Sequence, residues 1–385
     1  MTTTKGVRQM RKAYALFAGL GLALAVAGGG GAANAHSAAR VCPGSPIGTA
    51  SCHALVVTDG VGNPNASTSP TGLSPATIKS VYNFSTSSTA GAGQTIAIVD
   101  AYDDPTAESD LATFSSQYGL PPCTTANLCF KKVDQTGGSS YPRKDAGWAL
   151  EISLDVQWAH AIAPGAKILL VEASSNSFTN LLAAEDYAKT HAGYVSNSWG
   201  GSEFSGESSY DSHFAQSGVS FFVSSGDSGL PAQYPSASPN VISVGGTTLN
   251  FSGSSFVSET GWSGSGGGCS VYETANGSQS TGQVNCNGKR ATPDVSLDAD
   301  PASGVSVYDT TRYQGQSGWF TVGGTSASSP MWAGRSANAG VTVNSGYVYG
   351  NSITYRDITS GNNGANALVG YDLVTGRGSW IGSTP

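Results

Sequence analysis

Gly323-Gly324-Thr325-Ser326-Ala327-Ser328-Ser329-Pro330 sets one hydroxyl on a glycine-supported turn at the start of a helical pattern. Glycine admits backbone angles and close approaches that a Cβ would block, and free N–H groups at a helix start face a developing oxyanion. Ser326 is the candidate nucleophile. A serine hydroxyl needs a base, usually histidine. The five histidines are His36, His53, His160, His191 and His213, and none sits in a Gly-rich His-Gly-Thr setting. A carboxylate is the available substitute. Glu151 and Asp155 stand four apart in a helical pattern over 146–160, beside the apolar stripe Leu150, Leu154 and Trp158, and so project together. In a cleft such a pair shares a proton, which raises one apparent pKa and leaves one group able to accept from serine at acidic pH. On a solvated face it is only a mildly repulsive surface pair. Ser224-Ser225-Gly226-Asp227-Ser228-Gly229 forms a tight turn after an apolar strand. A protonated Asp227 there could donate to an oxyanion, while an ordinary turn aspartate would bond its own backbone.

The elements that must position these groups alternate. Short apolar runs at 95–99, 167–171, 195–197, 219–223 and 241–244 read as buried strands, and helical patterns fall at 104–118, 146–160, 177–191 and 210–217. The expectation is an α/β fold, a mostly parallel central sheet with helices on both faces in a single catalytic domain. Functional residues then gather at the C-terminal strand edge. The Gly- and Ser-rich segments 252–270 and 278–287 read as surface excursions, and the stretch after Pro330 reads as a short helix broken by Gly334 and Gly340.

Lys5, Arg8, Arg11 and Lys12, an apolar run over 13–27 and Ala33-Asn34-Ala35 form a signal-peptide pattern, with cleavage expected before His36 and a secreted product. Residues 36–73 read as an irregular leader, and 74–385 as the folded domain. Charged residues make up 11% of the chain and the net charge is −7, with no basic cluster beyond the signal, so a nucleic-acid partner is not expected. No membrane partner is expected after signal cleavage, and a monomer is. A neutral polar surface suits an acidic medium. The six cysteines fall into three short spacings, and pairing each with its neighbour is expected among fifteen formal connectivities.

Glu151-x-x-x-Asp155, the Asp227 turn and Gly-Thr-Ser326-x-x-x-Pro330, with Val195-Ser196-Asn197-Ser198-Trp199-Gly200 between the first two, together resemble the sedolisin, or serine-carboxyl peptidase, family over residues 74–379. The resemblance implies a subtilisin-like fold and peptide-bond hydrolysis at acidic pH on polypeptide substrates. By it, Ser326 is the nucleophile, Glu151 the general base, Asp155 its partner and Asp227 the oxyanion-hole acid. Asp100 and Trp199 match positions that extend the carboxylate network in some relatives, with a structural role as the other reading. Ser198, Trp199 and Gly200 would pair with the substrate backbone. Asp357, Ile358, Gly370 and Asp372 resemble the family's Ca2+ site, although Leu368 stands where relatives carry a glycine. Residues 36–73 stand where relatives carry a long folded prosegment. Two other readings remain: a catalytically silent secreted binding protein on the same fold, and a chymotrypsin-like protease using Ser228 with His53.

Overall fold

The computed structural model describes Met1 and residues 37–382 apart from 45 and 351. The signal pattern and His36 therefore lie outside the described residues. At the centre is a ten-stranded sheet. Its core runs in the spatial order Phe130–Asp134, Lys167–Ala173, Thr95–Ala101, Tyr194–Asn197, Ser220–Ser224, Ile242–Ser252, Val295–Asp298 and Ser379–Trp380. All these neighbours pair in parallel. Burial along the inner strands does not alternate, because both faces are covered.

The two chemistry-bearing helices pack on one another and on the sheet. The acid helix, Ala146–Ile162, is capped by Asp145, whose side chain accepts from the Gly147 and Trp148 amides at 3.1 and 3.2 Å. Every residue from Gly147 to Ile162 is buried. The solvated-face reading of Glu151 and Asp155 thus fails: a hairpin of Val305–Tyr313 and Gln316–Gly323 helps to cover the helix. Trp158 Nε1 donates to Ser306 O at 3.0 Å, and Gln157 and Tyr308 exchange bonds of 2.7 and 2.9 Å.

The serine helix, Thr325–Ala339, is continuous through Gly334, contrary to the broken stretch expected, and ends where Gly340 turns left-handed at φ 68°. Gly334 is a close approach: a Cβ there would lie 2.9 Å from Ile162 Cβ and 3.1 Å from Ala159 O. Deleting one side chain lets the two helices meet. Trp332, stacked on Phe222 and near Trp380, is fully buried on this helix.

Other elements shift for local reasons. The pattern at 104–118 becomes Ala107–Tyr118, since Pro105 and a structured Asp104 delay the start. The patterns at 177–191 and 210–217 become Phe178–Ala188 and a 3-10 helix, Glu207–Phe214. The Gly/Ser segments are not mere excursions: Ser255–Gly261 pairs with Ile242–Ser252, and Gly268–Thr274 with Lys289–Thr292. Residues 37–73 depart most from expectation. Ser37–Arg40 pairs with Leu55–Thr58, Leu55–Thr58 pairs with Gln316–Gly323, and Val41, Cys42, Ala50, Cys52, His53, Ala54 and Val56 are buried. Alternating polar and apolar runs too short to register as periodic gain stability here from long-range pairing. The disulfides are Cys42–Cys52, Cys123–Cys129 and Cys269–Cys286, the neighbour pairing expected. No helix among the described residues is long and apolar enough to cross a membrane.

Candidate active site

The tight turn after Ser220–Ser224, the strand end at Asp100, the segment 198–202 and the start of the serine helix converge at the C-terminal edge of the sheet. Ser326 opens its helix after Gly324, whose φ of 100° a side chain would strain. Its Oγ donates to Ser198 O at 3.2 Å, and it is fully buried. Glu151, Asp155 and Asp100 are also fully buried, and none of their carboxyl oxygens has a hydrogen-bond partner among the described residues.

Electrostatics links them into one chain. Burial raises the Glu151 pKa well above its usual value, and Asp155 and Asp100 add to the rise, while the nearby Ser326 hydroxyl pulls it down. Burial raises Asp155 as well, offset by the Ser198 hydroxyl. Asp100 is raised by burial, then by Asp155 and Glu172. Adjacent buried carboxyls cannot all ionise, so they hold shared protons. Glu172, which sequence reasoning did not single out, lies one strand over, opposite Asp100 in register. Burial raises it to about 9 against the pull of Lys132 at 3.6 Å. Its signal was weak: one acid inside the apolar run 167–173.

Asp227 lies across the serine turn. Its Oδ1 accepts from Thr325 N at 2.8 Å and Thr325 Oγ1 at 2.9 Å, and Oδ2 has no partner among the described residues. Burial raises its pKa to about 7, partly countered by the two Thr325 bonds and Arg40. In mild acid it therefore carries a proton. A Cβ on Gly324 would lie 2.7 Å from this Oδ2, so the glycine is what lets the carboxyl border the serine turn.

Trp199 takes the structural role. Its indole Nε1 donates to Val99 O at 2.8 Å, and the ring packs against Phe178. Trp199–Ser202 forms a strand with partners on both sides, Gln233–Tyr234 and Ser51–Cys52. The edge formed by Ser198, Trp199 and Gly200 is thus already occupied by this chain. The pairing of Ser228 with His53 does not form: Arg40 donates to Ser228 Oγ, and His53 Nδ1 lies 2.8 Å from Ser224 Oγ.

At the far end of the chain, Gly370 N donates to Asp357 Oδ2 at 2.9 Å and Leu368 N to Asp372 Oδ2 at 2.9 Å. Asp372 Oδ1 accepts from Val374 N and Thr375 N at 2.8 Å each. Asp357, Ile358, Gly370 and Asp372 are therefore gathered in one loop pair, with the carboxylates turned toward amides. Both Leu368 and Gly370 belong to a single exposed segment, so its movement would free an oxygen on each aspartate together.

The profile of the subtilase family (peptidase S8) matches residues 145–345, just over half of the 385-residue chain. Kumamolisin of Bacillus sp. (strain MN-32) is 32% identical over 366 residues, covering 82% of this chain and 63% of that protein. Sedolisin of Pseudomonas sp. (strain 101) is 29% identical, covering 80% and 60%. The chain thus spans less than two thirds of the length of these curated relatives. A solved structure of Pseudomonas sedolisin, a serine-carboxyl proteinase complexed with two molecules of pseudo-iodotyrostatin, matches with TM-score 0.67 and 30% identity, covering 81% of this chain and 96% of that one. The subtilase profile spans the acid helix, the Asp227 turn and the serine helix together, and the sedolisin structure is matched over nearly its whole length: the chain belongs to the sedolisin family, on the subtilisin-like fold.

Proposed function

We propose that this chain is a secreted serine-carboxyl peptidase that hydrolyses peptide bonds of polypeptides at acidic pH, with Ser326 as nucleophile, Glu151 as base, Asp155 as its proton-sharing partner and Asp227 as oxyanion donor. The observation that carries the reading is the buried carboxyl chain beside the Ser326 hydroxyl, with no imidazole hydrogen-bonded to that hydroxyl among the described residues. Glu151 takes the Ser326 proton as Oγ attacks the scissile carbonyl carbon. The oxyanion receives the Ser326 N–H and the protonated Asp227 Oδ2. Glu151 then returns the proton to the leaving amine, the C–N bond breaks, and water cleaves the ester with Glu151 again as base. Asp155 and Asp100 tune Glu151 by sharing its proton within a dry site. Acidity is required because an ionised Asp227 would repel the oxyanion.

The signal pattern at 1–35 supports secretion, and the gathered aspartates at 357 and 372 support Ca2+ as a structural ligand of the 357–372 loops, supplied with hard oxygen donors by Asp357, Asp372 and the Ile358 and Gly370 carbonyls. A monomer needs no residue from a second copy at this site. The direct test is hydrolysis of denatured protein at about pH 4, in the carboxyl titration range, by the wild type and by Ser326→Ala. Activity present in the first and absent in the second is expected. Equal activity in both removes Ser326 as nucleophile and overturns the reading, and no activity from folded wild type at any acidic pH overturns it in favour of a silent binding protein.

A further inference from the structure

Cys123 and Cys129 close a short loop just before the edge strand Phe130–Asp134, and His160 stands on the last turn of the acid helix Ala146–Ile162. A ring nitrogen of His160 and the two sulfurs all lie within 4.8 Å of one another. His160 and Cys123 are fully buried, Cys129 half-buried, and none of the three belongs to the proposed mechanism. The histidine is set as a ligand. Its Nε2 faces the Pro121 carbonyl oxygen at 2.9 Å, and a carbonyl only accepts, so Nε2 carries the proton and Nδ1 keeps its lone pair. Nδ1 is buried and has no hydrogen-bond partner among the described residues, an arrangement that costs stability unless something binds it. One ring nitrogen donating to a backbone carbonyl while the other is left free is the arrangement of a metal-bound histidine.

The sulfurs supply the rest of the donor set. Joined as a disulfide they do not ligate, but as two thiolates beside a neutral imidazole they make the combination that takes zinc. Zinc bonds of about 2.3 Å to sulfur and about 2.0 Å to nitrogen set tetrahedral ligand atoms about 3.5–3.8 Å apart. Atoms already within 4.8 Å reach that spacing by side-chain rotation once the sulfurs part. Charge is matched as well: Lys79 is the charged group that acts on the His160 ring, and Zn2+ with two thiolates sums to zero, so the buried site adds no net charge beside it. Cys129 lines a surface cavity of about 420 Å³ together with Thr125, Leu128, Phe130, Lys167 and His191. Through it a reductant reaches the sulfur, and a water completes the fourth position on the metal.

We propose that Cys123, Cys129 and His160 form a zinc site that exchanges with the Cys123–Cys129 disulfide. A dithiol reductant gives two electrons and two protons to the S–S bond, which breaks into two thiols, and the reductant leaves as its own cyclic disulfide. Zn2+ then binds both sulfurs and His160 Nδ1, and the two thiol protons pass to solvent. In the disulfide form the loop 123–129 is closed on itself. In the zinc form it is also tied to the helix that carries Glu151 and Asp155. The site does not depend on the peptidase reading.

Folded protein near neutral pH is reduced with dithiothreitol, freed of it anaerobically and titrated with Co2+ as an optical stand-in for Zn2+. The expected result is a sulfur-to-cobalt charge-transfer band that saturates at one equivalent in reduced wild type and is bleached by Zn2+. It is absent from protein that was not reduced and from the double variant Cys123→Ser with Cys129→Ser, and His160→Gln binds at least about tenfold more weakly. The band reports thiolate ligation, so it separates this site from the carboxylates at Asp357 and Asp372. X-ray absorption of zinc in reduced wild type should show two sulfurs and an imidazole nitrogen, a measurement that stands even if His160→Gln does not fold. A disulfide between 123 and 129 that dithiothreitol never opens in folded protein, reduced protein without the band, a band that survives loss of both cysteines, or zinc without imidazole ligation overturns the proposal. The peptidase reading is decided separately by Ser326→Ala.

Discussion

Asp227 and Thr325 are locked together: one carboxyl oxygen of Asp227 accepts both the amide and the hydroxyl of Thr325, at 2.8 and 2.9 Å, while the other oxygen has no partner among the described residues. In the proposed mechanism, Ser326 has beside it a donor whose direction is fixed before substrate arrives. Preorganised donors of this kind cost nothing to reorient during reaction.

The alkaline limit of activity follows from that arrangement. Asp227, raised to about 7 by burial, donates only when protonated, so kcat/KM falls as pH rises through about 7. Asp227→Asn keeps an acceptor for Thr325 and a permanent donor on the other side, and is expected to retain activity with a weakened alkaline fall. Asp227→Ala is expected to lose about 10²–10³-fold in kcat. A pH–rate profile of Asp227→Asn superimposable on that of wild type would remove Asp227 from the oxyanion role.

Glu151→Gln preserves shape and removes the proposed base. A loss of about 10²–10⁴-fold in kcat is expected. Asp155→Asn and Asp100→Asn remove a carboxyl that shares its proton, and each is expected to displace the acid limb of the pH profile as well as lower the rate. An unchanged acid limb in both would mean that the buried acids are not one titrating unit.

Stability is expected to peak in mild acid. Glu172 and Asp309 are raised to about 9 and Glu185 to about 8, chiefly by burial. Each binds its proton more tightly folded than unfolded, so its contribution is full below about pH 4 and is lost as pH rises toward 8–9. His53 and His160, lowered to about 4 by burial, act in the opposite sense: their contribution is present above about pH 6.5 and is lost as pH falls through about 4. Calorimetry at constant ionic strength should give a Tm maximum between these limits and a decline to the alkaline side. A Tm rising steadily from pH 5 to 9 would contradict the buried acids.

Gly334→Ala tests the contact between the acid and serine helices. The added methyl meets Ile162 Cβ and Ala159 O at 2.9 and 3.1 Å, inside contact distance. Overpacking should cost about 1–3 kcal/mol and displace Glu151 relative to Ser326. Urea denaturation with activity measured in parallel separates the two effects; an unchanged midpoint and rate would show that the contact is slack.

Calcium added after exhaustive chelation should raise Tm, and Asp357→Asn with Asp372→Asn should abolish the rise. The two aspartates are turned toward the amides of one exposed segment, so a bound cation would have to displace Leu368 and Gly370. A Tm indifferent to calcium in wild type argues that these amides are the carboxylates' permanent partners.

The sequence by itself determined what depends on neighbours in the chain. The glycines before Ser326, the four-residue spacing of Glu151 and Asp155, the turn at Asp227 and the apolar runs of the central strands are local patterns, because turns and periodicity act over a few residues. The continuity of the serine helix escaped local reading, since Gly334 lowers helix propensity and is favoured only by the approach of Ile162. Tertiary structure alone decided which face of the acid helix is dry, placed Glu172 opposite Asp100, and laid residues 51–53 against 198–200. Each of these is a pairing between distant segments whose stability comes from mutual burial and ladder bonds. No single segment carries that pattern, so either one alone looks like a solvated acid pair or an irregular leader where the fold buries both acids and pairs the leader with the strand at 199–202.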